Sequence, residues 1–466
     1  MNCWKIACLG CAILAGTAAA ATAQTFTVLA YFTDTEGSNP YSSLTQGRDG
    51  NFYGTAVNGG THGWGTVFKV APTGTVTTLY SFCAQADCAD GAYSYGALAL
   101  GYDGNLYGTT QNGGANGLGV VFRITPGGAY TVLHSFGGAD GSGPDAGVVL
   151  ASDGNFYGTT SVGGMVGAGT VFRITPSGTL TTLHSFDAYD GYDPFAPLVQ
   201  GTDGDLYGTT AAGGTNVNCY AGCGTVFKIT LGGGFTSLHV FQFTDGGEPF
   251  APLVQASNGA FYGTTYEGGD VGNVCEGGCG TIFKISSGGS FASVYKFHFS
   301  DGGRPSAGLV QATDGKLYGQ SPLGGLGDAP NIFALTLPAT LSTVYSFSST
   351  SCGGGSAALI QGTGGELYDT CDYYSAGGVY SLGVGLGPFV SFVVPAGKVG
   401  QTAQILGQGF TGTTSVTFNG VAATKFSVVS DTYMTAVVPS GASTGPVVVT
   451  TPGGAPSSNM SFRIID

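Results

Sequence analysis

The chain has 466 residues, 86 of them Gly and only 9% charged, with a formal net charge of −14. That sign argues against nucleic acid and against electrostatic adhesion to anionic membranes. Scarce Glu, Lys and Arg beside plentiful Val, Thr, Tyr and Phe argue against a helical protein, and 42% hydrophobic residues in regular alternation argue against low-complexity disorder.

Residues 1–23 read as a secretory signal peptide. Lys5 supplies the positive region, an apolar run follows from Ile6 to about Ala15, and Ala21-Thr22-Ala23 gives a small-x-small cleavage site. The run is too short to span a bilayer, so no transmembrane segment is expected. Leu9-Gly10-Cys11 faintly matches a lipoprotein box but lies too early in the apolar segment. Cys3, Cys8 and Cys11 leave with the leader, and eight Cys remain, an even number that suits disulfides in an exported chain.

From residue 24 to 385 one sentence of about 50 residues is repeated seven times. Its anchor is Tyr-Gly at Tyr53, Tyr107, Tyr157, Tyr207, Tyr262 and Tyr318, with Tyr368-Asp369 as the seventh. The fourth copy shows four short strands, A to D: Leu198–Gln200, Leu206–Thr210, Gly224–Ile229 and Phe235–Phe241. Asp-Gly pairs such as Asp49-Gly50 and Asp103-Gly104 join A to B and predict type I′ hairpins. C and D are joined as tightly, as at Thr73-Gly74. The Gly after each Tyr predicts a close backbone approach, read as blade-on-blade packing. Seven four-stranded meanders predict a seven-bladed β-propeller. The leading strand Thr25–Phe32 resembles the D strands, while the seventh copy lacks a D strand after Gly377–Leu382. The first strand is therefore expected to complete the last blade, which an open solenoid would not require.

Residues 388–466 carry short strands and turn clusters suited to a small immunoglobulin-like β-sandwich. The fold class is thus all-β, a propeller followed by a sandwich. The stretches Val399-Gly400 through Gly407, Ser415 through Val421 and Thr444 through Val449 resemble a TIG/IPT-type domain. The words LYGTT, GG and GTVFKI, at Leu206–Thr210, Gly213-Gly214 and Gly224–Ile229, resemble the GloVer tandem repeat of secreted bacterial proteins. The resemblance implies architecture and export. Members often carry a C-terminal sorting anchor; here the chain ends Ile464-Ile465-Asp466, so release, to the periplasm, cell surface or medium, is the expectation.

The B–C and D–A loops share one face, and every remaining Cys falls there. Expected disulfides are Cys83–Cys88, Cys219–Cys223, Cys275–Cys279 and Cys352–Cys371. Zinc ligation is the weaker reading of the two Cys-x-x-x-Cys loops. His134, His184 and His239 occupy the position of Tyr80, Tyr295 and Tyr345, which reads as packing with a polar tip; His62 and His298 have no evident nucleophile or carboxylate partner in sequence. Lys69, Arg123, Arg173, Lys228 and Lys284 share a C-strand position and read as snorkelling cations that pair with a nearby Asp. The acidic loop Asp187–Asp193 is a weak Ca²⁺ candidate without EF-hand spacing, and no other cofactor is implied. Gln46, Gln200, Gln255, Gln311 and Gln361 recur on the innermost strand, with Leu100 and Leu150 in the other two blades, and are expected to line the channel.

No catalytic word appears. The sequence therefore leans away from an enzyme. It favours a monomeric, secreted or cell-surface binding protein that presents its loop face to a glycan or an envelope protein. The alternatives are an extracellular propeller enzyme, a lyase or hydrolase on a glycan or small molecule, and a structural envelope component.

Overall fold

The computed structural model describes residues 24–215, 219, 221–270, 275–325, 327–348, 357–371 and 377–465. Seven four-stranded antiparallel sheets form the propeller, each in the order A-B-C-D. Blade 4 consists of Val199–Gln200, Leu206–Thr210, Thr225–Ile229 and Phe235–Val240. Blade 7 contains Ile360–Gln361, Leu367–Cys371 and Gly378–Gly383, and its fourth strand is Thr25–Tyr31 from the other end of the repeat region. Thr25 pairs with Gly383 and Tyr31 with Gly378, so the ring closes as the sequence predicts. Phe26 stacks on Tyr345 of blade 6 at 4.5 Å and meets Tyr380 of blade 7 at 5.0 Å, fastening that closure.

Two local expectations need correction. The A–B turn is not type I′. Gly50 has φ 78°, but Asp49 is not among the residues with positive φ. Gly50 N–H donates to Gly47 O and Gly47 N–H to Asn51 O, a three-residue loop with a left-handed Gly at its end. This geometry turns the Asp49 carboxylate inward, where it accepts from Asn51 N–H at 3.2 Å and from the Tyr53 hydroxyl at 2.8 Å. The same Asp–Tyr bond recurs at Tyr107, Tyr157, Tyr207 and Tyr318. The anchor tyrosines are therefore joined to their own hairpins, and burial followed by the Asp pushes the Tyr107 phenol up to about 12.

The Gly after each Tyr makes room within its own blade, not between blades. It faces the Phe of the neighbouring C strand, as Gly208 faces Phe227. A Cβ on Gly208 would lie 2.5 Å from the tip of the Phe227 ring and 2.8 Å from Leu198 Cδ2. Both neighbours are buried, so Gly208→Ala is expected to cost about 1–3 kcal/mol by overpacking, read as a lowered urea midpoint. Blade 7 breaks this rule as a set. Asp369 replaces the Gly, Tyr380 replaces the Phe, and Gln320 of blade 6 donates to Asp369 while accepting from the Tyr380 hydroxyl at 3.1 Å.

The innermost A strands of blades 1, 2 and 3 lie against one another around the axis. The recurring glutamines do more than line the channel. Gln200 Oε1 accepts from Ser152 N–H of the preceding blade at 2.9 Å, and its amide donates to Ser152 Oγ at 3.1 Å. Gln255 holds Thr202 and Gln361 holds Thr313 by the same two bonds, while Gln311 and Gln46 accept the backbone N–H of Ser257 and Thr363. Each clasp joins a Gln to a Ser or Thr at the neighbouring A–B turn. At the two remaining seams both members change together: Leu100 faces a turn carrying Arg48, and Leu150 one carrying Tyr102.

Those two seams seat the C-terminal sandwich. Its sheets are built from strands between Ser391 and Ile465 around Ile405, Phe410, Phe418, Met434, Val449 and Phe462. Leu406 and Tyr433 join the cluster around Leu100, and Val394 joins that around Leu150. The Arg48 guanidinium donates to Tyr102 O at 2.6 Å and to Gln404 Oε1 at 2.7 Å, and lies 4.7 Å over the Tyr433 ring. The sandwich therefore covers the A–B turn face. Leu100→Gln places an amide there without its hydroxyl partner. Calorimetry of this variant is expected to split off a separate, earlier transition of the sandwich; one unchanged transition would contradict the docking.

Candidate functional site: the loop-face rim

The opposite end of the channel is ringed by one residue from each repeat, just before strand A. In blades 1 to 6 these are Asn39, Tyr93, Gly143, Asp193, Glu248 and Arg304; the equivalent position before strand A of blade 7 lies outside the described residues. All six are left-handed, with φ of 56°, 58°, 61°, 53°, 54° and 54°. For the five that are not Gly this costs of order 1–3 kcal/mol each, and such conformations persist where the surroundings over-determine them. Here they do. The Asp193 carbonyl accepts from Phe195 N–H at 3.0 Å and from Ala211 N–H at 2.9 Å, and Glu248 O is held equally by Phe250 and Tyr266. From behind, Glu248 N–H donates to Cys223 O at 3.1 Å and Arg304 N–H to Cys279 O at 2.8 Å. The scaffold thus repeats a rigid pedestal and varies the side chain it presents.

Two of the disulfides, through Cys223 and Cys279, buttress these pedestals. Cys83–Cys88, Cys219–Cys223 and Cys275–Cys279 are closed as expected. Cys352, and with it the proposed Cys352–Cys371 pair, lies outside the described residues.

Aromatic and amide groups occupy the rim at blades 1 and 2. Tyr41 and Tyr95 lie parallel with ring centres 6.3 Å apart, Asn39 donates to the Tyr41 hydroxyl at 3.2 Å, and Trp64 packs edge-on against Tyr93. Blades 3 and 4 bring two carboxylates together. Asp145 accepts from Gln111 Nε2 at 2.6 Å and is also hydrogen-bonded by Ser161; burial raises its pKa and those bonds oppose the rise. Asp193 is raised to about 6, first by burial and then by the charge of Asp145, with no opposing bond. Gly143 leaves the Asp145 carboxylate uncovered, since a Cβ there would lie 3.8 Å from its Oδ2 and 3.0 Å from Ser161 Oγ. At blades 5 and 6, Phe250 bridges Phe195 and Tyr266. Arg304 lies over Tyr266 and pairs with Glu267 at 3.6 Å. Burial and Glu267 raise Glu248, against the pull of Arg304.

Other candidates from the sequence are placed in the scaffold. His134, His184 and His239 contact Asp140, Asp190 and Asp245 at 2.7, 2.8 and 3.1 Å, and Tyr80 and Tyr295 donate to Asp90 and Asp301. The second oxygen of Asp140, Asp190, Asp245 and Asp301 accepts a backbone N–H of the D–A loop. His184 and His239 stack on Phe235 and Phe291. Of the five C-strand cations only Lys228 pairs with an Asp among the described residues, Asp205 at 3.4 Å, so the expected pairing does not hold for the set; His298, against expectation, stands 3.7 Å from Asp301 and 4.0 Å from Asp270. In the acidic loop Asp187 accepts from Tyr189 and Asp190 N–H, while Asp193 alone reaches the rim pair. Among the described residues no group of three or more His, Cys, Asp or Glu is placed to hold a metal ion, and no helix is long and apolar enough to cross a membrane.

The repeat and its departures match a known family model. The Gloeobacter/Verrucomicrobia repeat is matched over residues 15–221 and 193–386, and the IPT/TIG domain over 388–464. The chain belongs to the Gloeobacter/Verrucomicrobia repeat family. No curated protein sequence matches this family member. Among solved structures, a fungal alcohol oxidase of the AA5 family in complex with copper is 12% identical with a TM-score of 0.53, covering 95% of this chain and 99% of its own. A gluconolactonase from Xanthomonas campestris is 14% identical with a TM-score of 0.40, covering 64% of this chain and 86% of its own. The first likeness takes in both parts of the Gloeobacter/Verrucomicrobia repeat chain. It corrects the lean away from an enzyme: a solved structure that shares this fold over nearly its whole length is an alcohol oxidase, so the lack of a contiguous catalytic word does not argue against catalysis.

Proposed function

We propose that the protein is an exported hydrolase that cleaves glycosidic bonds at the loop-face rim, with Asp193 as general acid and Asp145 as general base. The observation that carries this reading is the carboxylate pair itself: burial raises both members, but Gln111 and Ser161 hydrogen-bond to Asp145 and oppose its rise, while Asp193, raised to about 6, has no such bond. Paired carboxyl groups with separated proton affinities are the chemistry of glycoside cleavage. Asp193 passes its proton to the glycosidic oxygen as the bond to the anomeric carbon breaks. Asp145 takes a proton from water as the water oxygen bonds to that carbon. The two groups then exchange protons with solvent, and the net change is hydrolysis.

The aromatic rings on either side, Tyr41 and Tyr95 on one and Phe195 and Phe250 on the other, offer faces against which sugar rings pack. A lyase, which needs a uronate, is disfavoured: the rim is mainly acidic, and its cation, Arg304, is engaged by Glu267. Three closed disulfides and the leader-like N-terminus support export. The test is release of reducing ends from a panel of neutral polysaccharides. Release by the native protein with no unsaturated product, lost in Asp193→Asn, supports the proposal. No release across the panel, or release by Asp145→Asn or Asp193→Asn undiminished from the native level, overturns it.

A further inference from the structure

At the far end of the channel from the carboxylate pair, the propeller and the sandwich enclose a cavity of about 470 Å³. We propose that it binds a small amphipathic carboxylate, an apolar chain ending in a carboxyl group. The volume lies within the roughly 300–1,000 Å³ of small-molecule sites, and such sites combine apolar walls with a few placed polar groups. The walls are mostly apolar and come from both domains, with Leu98, Leu100 and Leu150 on the ring and Val393 and Leu406 on the sandwich.

The polar groups narrow the ligand. Gln200 and Gln255 border the cavity, but their amides are spent on the inter-blade clasps. Arg463 is the one charged side chain in the lining. It donates to a neutral hydroxyl, Ser152 Oγ, at 3.1 Å, and no carboxylate lies within ion-pair distance of it among the described residues. A guanidinium has five donors in a fork that matches a carboxylate, so most of that fork is available to a ligand. A cation at the edge of an apolar chamber selects a molecule that is apolar along its length and anionic at one end. The same chamber repels an amine and holds an alcohol only through its chain.

The experiment titrates the full-length protein with decanoate, decanol and decylamine, each below its micelle concentration, and follows heat and Tm. Decanoate is expected to bind and raise Tm, octanoate to bind roughly tenfold more weakly for the loss of two methylenes, and decylamine not to bind. Arg463→Met is expected to weaken decanoate at least about tenfold while leaving decanol unchanged, and Arg463→Lys to restore part of the loss. Ala99→Phe, which fills the chamber from the ring side and not from the strand that pairs with Arg463, is expected to abolish both decanoate and decanol binding. Decylamine binding as tightly as decanoate, decanoate binding unchanged in Arg463→Met, or no binding by any chain length overturns the proposal. The unchanged decanol arm shows that the chamber survives the Arg463 substitution.

Discussion

Asp193→Asn is expected to lower turnover of the polysaccharide substrate by about 10²- to 10⁴-fold, the usual contribution of a positioned general acid. The pH profile of the native protein is expected to be bell-shaped. Its alkaline limb falls as pH rises through about 6, where Asp193 gives up its proton, and its acid limb falls as Asp145 becomes protonated. The two carboxyls interact, so both limbs belong to the pair. Stability supplies an independent check. The folded pKa of Asp193 is raised above the unfolded value of about 3.9. Its contribution is therefore fully present below pH 3.9 and lost as pH rises through about 6. Asp193→Asn carries no such dependence, so its Tm is expected to gain on the native Tm between pH 5 and pH 8. A constant Tm difference would show that Asp193 is an ordinary exposed carboxylate.

The second large effect concerns ring closure. Removal of residues 24–32 exposes the whole edge of Gly378–Gly383 and strips Phe26 and Val28 from the blade 6–7 core. An open, apolar sheet edge invites pairing with other chains. The truncated protein is expected to be recovered as aggregate, whereas Phe26→Ala, at a half-buried ring, is expected to fold with a loss of about 1–3 kcal/mol in denaturant unfolding. A truncated chain that stays monomeric with native near-ultraviolet circular dichroism would mean that the first strand is dispensable.

Much of the architecture is legible in the sequence because it rests on local chemistry repeated seven times. Tyr-Gly, Asp-Gly and the D-like strand Thr25–Tyr31 each speak for themselves, and three disulfides join Cys residues four or five positions apart. The finer geometry is less legible. Asp-Gly fits two hairpin types, and only the inward turn of Asp49 toward Asn51 and Tyr53 decides between them. The rim is hidden for a different reason. Asp193 stands at the left-handed position of its repeat, but Asp145 stands two residues beyond the equivalent Gly143, so alignment of the copies does not pair them. Only the curvature of the ring does. One signal was available along the chain: the position held by Asn39, Tyr93, Gly143, Asp193, Glu248 and Arg304 carries a different residue in each of these six copies, and in five of them it is followed by Pro. The paired exchange of Gln for Leu and of Ser or Thr for Arg48 or Tyr102 was equally readable, once seams instead of single positions are compared.

That exchange bears on the order in which the chain completes itself during synthesis. Blades 1 to 3 leave the ribosome first, yet their seams carry Leu100 and Leu150 in place of clasps and are braced by Leu406, Tyr433 and Val394. Those residues are made last. The first-made strand likewise waits for Gly378–Gly383 before it has a partner. Domains generally fold as units from the N-terminus during translation. Here both ends of the polypeptide must be finished before either is secure, which ties the propeller and its sandwich into one obligate folding unit.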